Sequence, residues 1–405
     1  MPAVPAVIRM MRPPPQVRRA RGAVAALFFA NGALFANVVP RYPDLKAALD
    51  LSNTELGTAV GAAALGGLVA GPLAGALVAR FGSVRVAPTS TLCLAASVVL
   101  IGLAPSWAAL AAVLFLMGAA DSVADLAVNA HGLRVERRYG RSILNSMHGI
   151  WSIGAVLGGV TGAAATGLAV PLPWHLAVAA VVFALLGAVV ARFLLPGRDD
   201  QDAPARPDGD RGPLRWWSIG PAVLAMGVIA AMAQSMEDAG ATWSAVYLRE
   251  DLGAAAAASG LGFIALQALQ TVGRLLGDGL VTRFGDRAVA IAGATLAAGA
   301  MSLALAVPTA AGTVVGFGAV GLGIGTLIPA AMRAADSVPR LPRGLGLALV
   351  GTVNRISLLA GPPLIGLVAD TAGLRVALLA IPAAALVVLG LSPVLAGRRE
   401  PAAAR

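Results

Sequence analysis

Two stretches of the chain read alike: Leu77-Val78-Ala79-Arg80-Phe81-Gly82 and Leu280-Val281-Thr282-Arg283-Phe284-Gly285. They lie 203 residues apart in a chain of 405. The same offset pairs Gly118 with Gly321 and Gly158 with Gly361. A constant offset across separate regions marks an internal duplication of about half the chain. In each copy the Arg-Phe-Gly step interrupts an apolar run, so it reads as a tight turn between two helices.

The composition says what those helices are in. Hydrophobic residues make up 58% of the chain and charged residues only 12%, against roughly 45–50% and about 25% in a soluble domain. Disorder is excluded for most of the chain, because it needs low hydrophobicity. The one cysteine, Cys93, excludes a disulfide scaffold. Uncharged runs recur at the ~20 residues a helix needs to cross a bilayer. They predict twelve spans, at 22–39, 55–79, 86–104, 107–130, 146–168, 174–195, 216–248, 255–281, 288–307, 311–332, 344–369 and 374–396. The expected fold is therefore an all-α membrane protein with two pseudo-symmetric six-helix halves, 22–195 and 215–397. A Pro- and Arg-rich tail at 1–21 is expected to be disordered. The charged stretch 196–214 reads as a linker, and 398–405 as a second tail.

Basic residues orient the spans. Counting alternate sides, 24 of the 30 fall with the N-terminus, from Arg9 to Arg405. Arg41, Lys46, Arg249 and Arg375 fall opposite, and Arg274 and Arg355 inside spans. By the positive-inside bias both termini are expected in the cytoplasm. This also accounts for the net charge of +10 without nucleic acid. Trp107, Trp174, Trp216, Trp217 and Trp243 fall near span ends, where an interfacial belt expects them.

The two-half pattern is that of the major facilitator superfamily (MFS), and the residues support the resemblance. Gly75-Ala76-Leu77-Val78-Ala79-Arg80-Phe81-Gly82-Ser83-Val84-Arg85 resembles the superfamily signature between its second and third spans. The signature carboxylate position, which helps latch the cytoplasmic side in the family, is Ala79 here. Further segments resemble the fucose-permease-like branch, including its YbjJ-type members. These are Asp125-x3-Asn129 with Glu136, Gly140-Arg141, His148-x3-Ser152-x-Gly154, Glu237-x5-Trp243-Ser244-Ala245-Val246-Tyr247-Leu248, Gly273-Arg274-x2-Gly277-Asp278 and Gly361-Pro362-Pro363-x2-Gly366. Thr242 and Arg355 depart from the branch pattern. The resemblance implies a central cavity lined by spans 1, 4, 7 and 10, and a place in the cytoplasmic membrane of a bacterium.

Polar groups inside spans are costly and point to function. Span 1 has Asn31. Span 4 has Asp121, Asp125 and Asn129 on one face, span 7 has Gln234, Glu237 and Asp238, and span 8 has the stripe Gln267, Gln270, Arg274 and Asp278. Span 11 has Asn354 and Arg355. The expected solute site is Asn31, Asp121, Trp151, Gln267, Gln270, Asn354 and Arg355, with Asp121 and Glu237 as proton-coupling carboxylates. Arg80, Gly82, Asp125, Arg274, Asp278 and Arg283 are expected in gating or ion pairs, such as Arg274 with Asp278. Each has a plainer reading: Asn31 as an interhelical packing bond, Trp151 as packing, and the charges near span ends as structural pairs. Gly67-x3-Gly71-x3-Gly75 and Gly154-x3-Gly158-x3-Gly162 read as small-residue faces for close helix approach.

No metal-ligand spacing, nucleophile motif or phosphate loop occurs in a fitting context, so no cofactor, metal or enzymatic activity is expected. The leading expectation is proton-coupled uptake of a small polar solute, sugar-like by resemblance, although Arg355 equally suits an anionic group. Efflux of a drug or metabolite and a transport-dead membrane sensor are the rival readings. One chain holds both halves, so a monomer suffices.

Overall fold

A computed structural model of the chain describes residues 13–140, 143–197, 216–338 and 345–395. The N-terminal segment contains α1 (Pro15–Val38), α2 (Asn53–Phe81), α3 (Ser83–Gly102), α4 (Trp107–Tyr139), α5 (Leu144–Gly167) and α6 (Leu172–Ala191). The C-terminal segment contains α7 (Trp216–Val246), α8 (Leu261–Phe284), α9 (Asp286–Ala306) and α11 (Leu345–Ala372). It also contains two broken helices, α10 (Ala310–Asp336) and α12 (Leu374–Leu395). Among the described residues eleven helical segments are long and apolar enough to cross a membrane. α7, 31 residues long, coincides with the remaining expected span at 216–248.

The opening duplication is visible in three dimensions. Gly82 and Gly285 both take positive φ, +80° and +81°, a conformation that glycine adopts without steric cost. Each ends one helix and starts the next within a residue. Arg80 lies over the Phe81 ring at 5.5 Å and Arg283 over the Phe284 ring at 5.2 Å. The next residue ties the turn to a neighbouring helix in both copies: Ser83 Oγ meets His131 Nδ1 at 2.8 Å, and Asp286 Oδ1 pairs with Arg333 at 2.7 Å. Ser106 and Thr309, also 203 apart, each cap their helix by accepting from the backbone three residues on.

Glycine sets how closely the helices approach. Ideal Cβ atoms at Gly154, Gly158 and Gly162 would lie 2.3, 2.5 and 2.9 Å from the carbonyl oxygens of Phe29, Ala33 and Asn37, so the α5 stripe packs directly on α1. The α2 stripe behaves differently. Gly67 has looser contact, Gly71 faces the Arg355 guanidinium and Gly75 faces open space. The tight positions on α2 are instead Gly57 and Gly61, against Pro362 and Pro363 of α11, and Gly66, against α4.

Helix ends correct several expectations. Residues 15–21, expected in a disordered tail, belong to α1, which starts on the pre-set φ of Pro15. Arg21 holds this turn by donating to Tyr139 Oη at 3.0 Å. The rest of the tail, 1–12, lies outside the described residues, as do 198–215 of the linker and 396–405. α4 runs nine residues past the expected 130. Its final turns are polar in sequence but pinned by two charges. Glu136 accepts from the Ile143 and Leu144 amides, capping the start of α5. Arg134, counted above as a loop charge, is fully buried and donates to the carbonyls of Leu195, Pro196 and Gly197 just after α6. Orphaned carbonyls cost about 1–3 kcal/mol each. Arg134→Met is therefore expected to lower the melting temperature of the purified protein in detergent by several degrees, whereas exposed Arg137→Met leaves it unchanged. Trp243 is not interfacial: it is fully buried in the core, while Trp107 and Trp174 are exposed at helix ends.

We call the end bearing the start of α1 the near end and its opposite the far end. The four far-end bases are all bonded. Arg41 pairs with Asp44 (2.7 Å), Lys46 with Glu250 (2.5 Å) and Arg249 with Asp44 (2.8 Å), and Arg375 donates to Leu305 O (2.7 Å). Hydrogen bonds and ion pairs tie the N- and C-terminal segments together at this end: Lys46–Glu250, Arg249–Asp44, and the amides of Asn53 and Thr54 with Asp370.

Candidate functional site

The polar residues of the spans assemble into two hydrogen-bonded chains. In the N-terminal segment the Trp151 indole of α5 donates to Asn31 Oδ1 (2.7 Å), and Asn31 Nδ2 of α1 donates to Asp121 Oδ1 of α4 (2.7 Å). Three of the expected site residues are thus in direct contact. In the C-terminal segment Asn354 Nδ2 of α11 reaches Gln234 Oε1 of α7 (3.4 Å), and Gln234 Nε2 donates to Asp238 Oδ1 (3.0 Å). The correspondence is residue by residue at the offset of 203. Asn31 matches Gln234 and Trp151 matches Asn354. Each amide accepts from its segment's fifth helix and donates to a carboxylate. Only the carboxylate differs, because Ile324 stands where Asp121 has its counterpart and Asp238 supplies the acceptor one turn along α7.

A second cluster joins α7 to α8. Gln270 Nε2 donates to Glu237 Oε2 at 2.7 Å, and the Arg274 guanidinium lies 3.8 Å from the same oxygen. This corrects the expected Arg274–Asp278 pair. Helical side chains lean toward their N-terminus, so Arg274 leans toward the turn of Gln270, where Glu237 is already held. Asp278, one turn the other way, is exposed. Asp125 makes no ion pair within 4 Å among the described residues. Its Oδ1 accepts from Asn129 at 2.8 Å, while His148 and Arg355 lie within electrostatic reach. His148 sits edge-on to Phe28 and within reach of Arg274. Asp125 and His148 from one segment thus face Arg355 and Arg274 from the other. Arg355 is exposed and reaches across to α2, its Nη1 3.4 Å from where a Gly71 Cβ would sit. Of the expected gating residues, Arg80, Gly82 and Arg283 form the two near-end turns described above.

Among the described residues several buried polar atoms, acceptors and the Trp243 indole N–H alike, have no hydrogen-bond partner. Gln267 Oε1, Asn354 Oδ1 and Asp238 Oδ2 are buried and unbonded. A buried acceptor without a donor costs about 1–3 kcal/mol, so these atoms are ready to take donors from water or a solute. Gln234 and Asp238 stood in the sequence only as polar residues of the seventh span, and the duplication offset was the signal that could have found Gln234. Asn37, which accepts from both Thr161 (2.9 Å) and His175 (3.0 Å), is a further buried node between α1, α5 and the start of α6. An apolar cavity of about 540 Å³ between α2, α3 and α4, lined by Leu73, Leu77, Phe81, Ala119 and Val123, shares no residue with these chains.

Known proteins place this architecture. The sequence profile described as Major Facilitator Superfamily matches residues 24–236 and 223–405. An uncharacterized transporter of Sinorhizobium fredii, y4wD, is 32% identical over 92% of this chain and 97% of its own length. An uncharacterized MFS-type transporter of Yersinia pestis is 29% identical over 86% of this chain and 89% of its own. The membrane protein MosC of Rhizobium meliloti is 30% identical over 90% of this chain and 88% of its own. Among solved structures the nucleoside transporter NupG superposes with a TM-score of 0.75 at 11% identity, covering 93% of this chain and 98% of that one. A bacterial homologue of the human lysosomal transporter Spinster, inward-facing and unoccupied, superposes at 0.73 with 17% identity over 94% and 98%. The apolar helices, the mid-span hydrogen-bonded polar chains and a family match spanning nearly the whole sequence lead to one assignment: this chain belongs to the Major Facilitator Superfamily and is a multi-pass membrane transporter.

Proposed function

We propose that the protein is a proton-coupled transporter of a small, hydroxyl- or amine-bearing solute, working by alternating access between two six-helix halves, 22–195 and 215–397. The observation that carries the solute class is the set of unbonded buried acceptors, Gln267 Oε1, Asn354 Oδ1 and Asp238 Oδ2. Acceptors select donors, and a hydroxylated or amino solute offers several on a small frame. Asp121 and Glu237 are the proton carriers of this reading, one in each half and each held by an amide. Asn31, Trp151, Gln270 and Arg355 complete the solute site. The arginine-rich near end is read as the cytoplasmic face by the positive-inside bias, and the membrane as a bacterial cytoplasmic membrane. Because ion pairs and amide bonds join the halves at the far end, that end is read as closed.

The test is transport in vesicles containing the purified protein, with an imposed pH gradient and a panel of polyols, sugars, amino sugars and their acidic analogues. Solute-dependent proton entry is the expected result. Proton movement that no member of the panel changes overturns the coupling, and proton-driven export from loaded vesicles replaces uptake by efflux. Arg355 adds a second specificity. Hydrogen bonds to a charged group contribute about 1.5–3 kcal/mol. Arg355→Gln is therefore expected to weaken the acidic members of the panel roughly 10- to 100-fold and leave neutral ones unchanged. An equal loss for both kinds removes Arg355 from recognition of a charged group.

A further inference from the structure

The two seams between the halves are related by the duplication, so their differences are informative. One seam is α2 against α11 and the other α8 against α5. At the first, a Cβ on Gly57 would meet the Pro362 carbonyl and one on Gly366 would meet the Asn53 carbonyl. At the second, Gly260, the mate of Gly57, packs against Ala163, the mate of Gly366, and against Pro40, while Gly159, the mate of Pro362, packs against Phe263 and Ile264. Both seams are thus close-packed by small residues. Among the described residues only the first carries a far-end side-chain tie. Asp370, at the end of α11, accepts from the Asn53 amide through Oδ1 (2.9 Å) and the Thr54 amide through Oδ2 (2.7 Å). The residue matching Asp370 is Gly167, which packs on Ala257 without a side chain. Asn53 and Thr54 are the first residues of α2, whose amides have no intrahelical acceptor. That helix already has a local cap: Ser52 and Glu55 bond each other's backbone at 3.1 and 2.9 Å. Asp370 therefore serves amides that the capping box leaves over, and it does so from the other half of the molecule.

We propose that Asp370 is a one-sided far-end latch: its carboxylate, bound across the seam to the start of α2, holds the far end shut, and it must leave those amides before that end can open. The proposal rests on the alternating-access reading above. Its consequence is asymmetric. The α2–α11 seam resists opening through two charge-assisted bonds to a helix N-terminus, while the α5–α8 seam resists only by packing. The ion pairs Lys46–Glu250 and Arg249–Asp44 close a third part of the same rim. Their cations are duplication mates, so they load both halves alike and do not supply the asymmetry.

Spin labels at Ala108 and Ala311 test it. These positions are exposed, 203 residues apart, and just inside the far ends of α4 and α10. With Cys93 replaced by serine, the pair Ala108→Cys and Ala311→Cys reports the far-end separation by electron–electron distance measurement. Asp370→Ala is expected to raise the share of the longer distance roughly tenfold, the size of effect typical of losing a charged helix-terminus contact. Glu55→Gln with Ser52→Ala, which removes the local cap but no cross-half bond, is expected to leave the distances unchanged. An unchanged distribution in Asp370→Ala overturns the latch. An equal shift in both variants also overturns it, because the carboxylate is then only a helix cap. Solute transport by the otherwise unsubstituted chain is scored in the same vesicles. Its absence overturns the transport reading, and the distances alone decide the latch.

Discussion

Asp121→Asn is expected to abolish proton-driven accumulation while preserving solute exchange across the membrane. The prediction follows from how Asp121 is held. Asn31 has its amide orientation fixed from behind, because its oxygen takes the Trp151 indole at 2.7 Å and only its nitrogen is left to face Asp121. An asparagine at 121 keeps an acceptor for that nitrogen, so the chain from α5 through α1 to α4 stays bonded and the fold is unaffected. What is lost is the titratable proton. One pH unit across the membrane corresponds to 1.36 kcal/mol per proton. A transporter moving one proton per solute therefore accumulates its solute about tenfold at that gradient, and the variant accumulates none. Counterflow of labelled against unlabelled solute, which needs no proton, stays within a few-fold of the unsubstituted protein. Tenfold accumulation by the variant shows that Asp121 is not the coupling group and moves the role to Glu237. Loss of counterflow as well shows that Asp121 contacts the solute.

The behaviour of Asn31 and Gln234 also explains what was legible in the sequence. The spans were legible because apolar runs of bilayer length leave few alternatives, and Arg80-Phe81-Gly82 with Arg283-Phe284-Gly285 revealed the duplication because turn geometry demands the same residues twice. The amide pair was harder to see. Asn and Gln differ in length, and Trp151 and Asn354 differ in kind, so an offset that aligns positions does not align letters. What duplicates is the hydrogen-bond role: acceptor to the fifth helix and donor to a carboxylate. The end of α4 was missed for another reason. The run His131 to Tyr139 is too polar to look like a span, yet Arg134 is buried there because three carbonyls at the end of α6 converge on it. Likewise the partner of Arg274 could not be read from its own helix, since Glu237 comes from α7. Side chains that bond across helices carry no periodicity of their own. The far-end ties of Asp44, Lys46, Glu250 and Asp370 went unnoticed for that reason.

Gly118→Ala and Gly321→Ala are expected to destabilise the protein, by similar amounts, although alanine is the better helix former. A glycine in a helix interior costs roughly 0.5–1 kcal/mol relative to alanine, so at an open site the change is stabilising. Gly75 and Gly279 are such sites, with nothing within 4 Å of a Cβ. At Gly118 the added Cβ would stand 1.8 Å from the Ala63 carbonyl oxygen, and at Gly321 it would stand 2.1 Å from that of Leu266. Ala63 and Leu266 are themselves 203 residues apart, so these are one helix crossing built twice, α4 on α2 and α10 on α8. The obstructing atoms are backbone, and relief requires whole helices to move apart. Overpacking of this kind typically costs 1–3 kcal/mol, which outweighs the propensity gain. Gly318→Ala is the internal control, because its one close contact would be with the end of the Leu269 side chain, at 2.7 Å, while Ala265 lies at ordinary contact distance, 3.5 Å or more. Melting temperatures in one detergent are therefore expected to fall for Gly118→Ala and Gly321→Ala, stay near the unsubstituted value for Gly318→Ala, and rise slightly for Gly75→Ala and Gly279→Ala. A rise at all five positions would mean that propensity, not the approach of α2 to α4 and of α8 to α10, governs stability here. A fall at Gly118 alone would mean that the two crossings, alike in geometry, do not share the load equally.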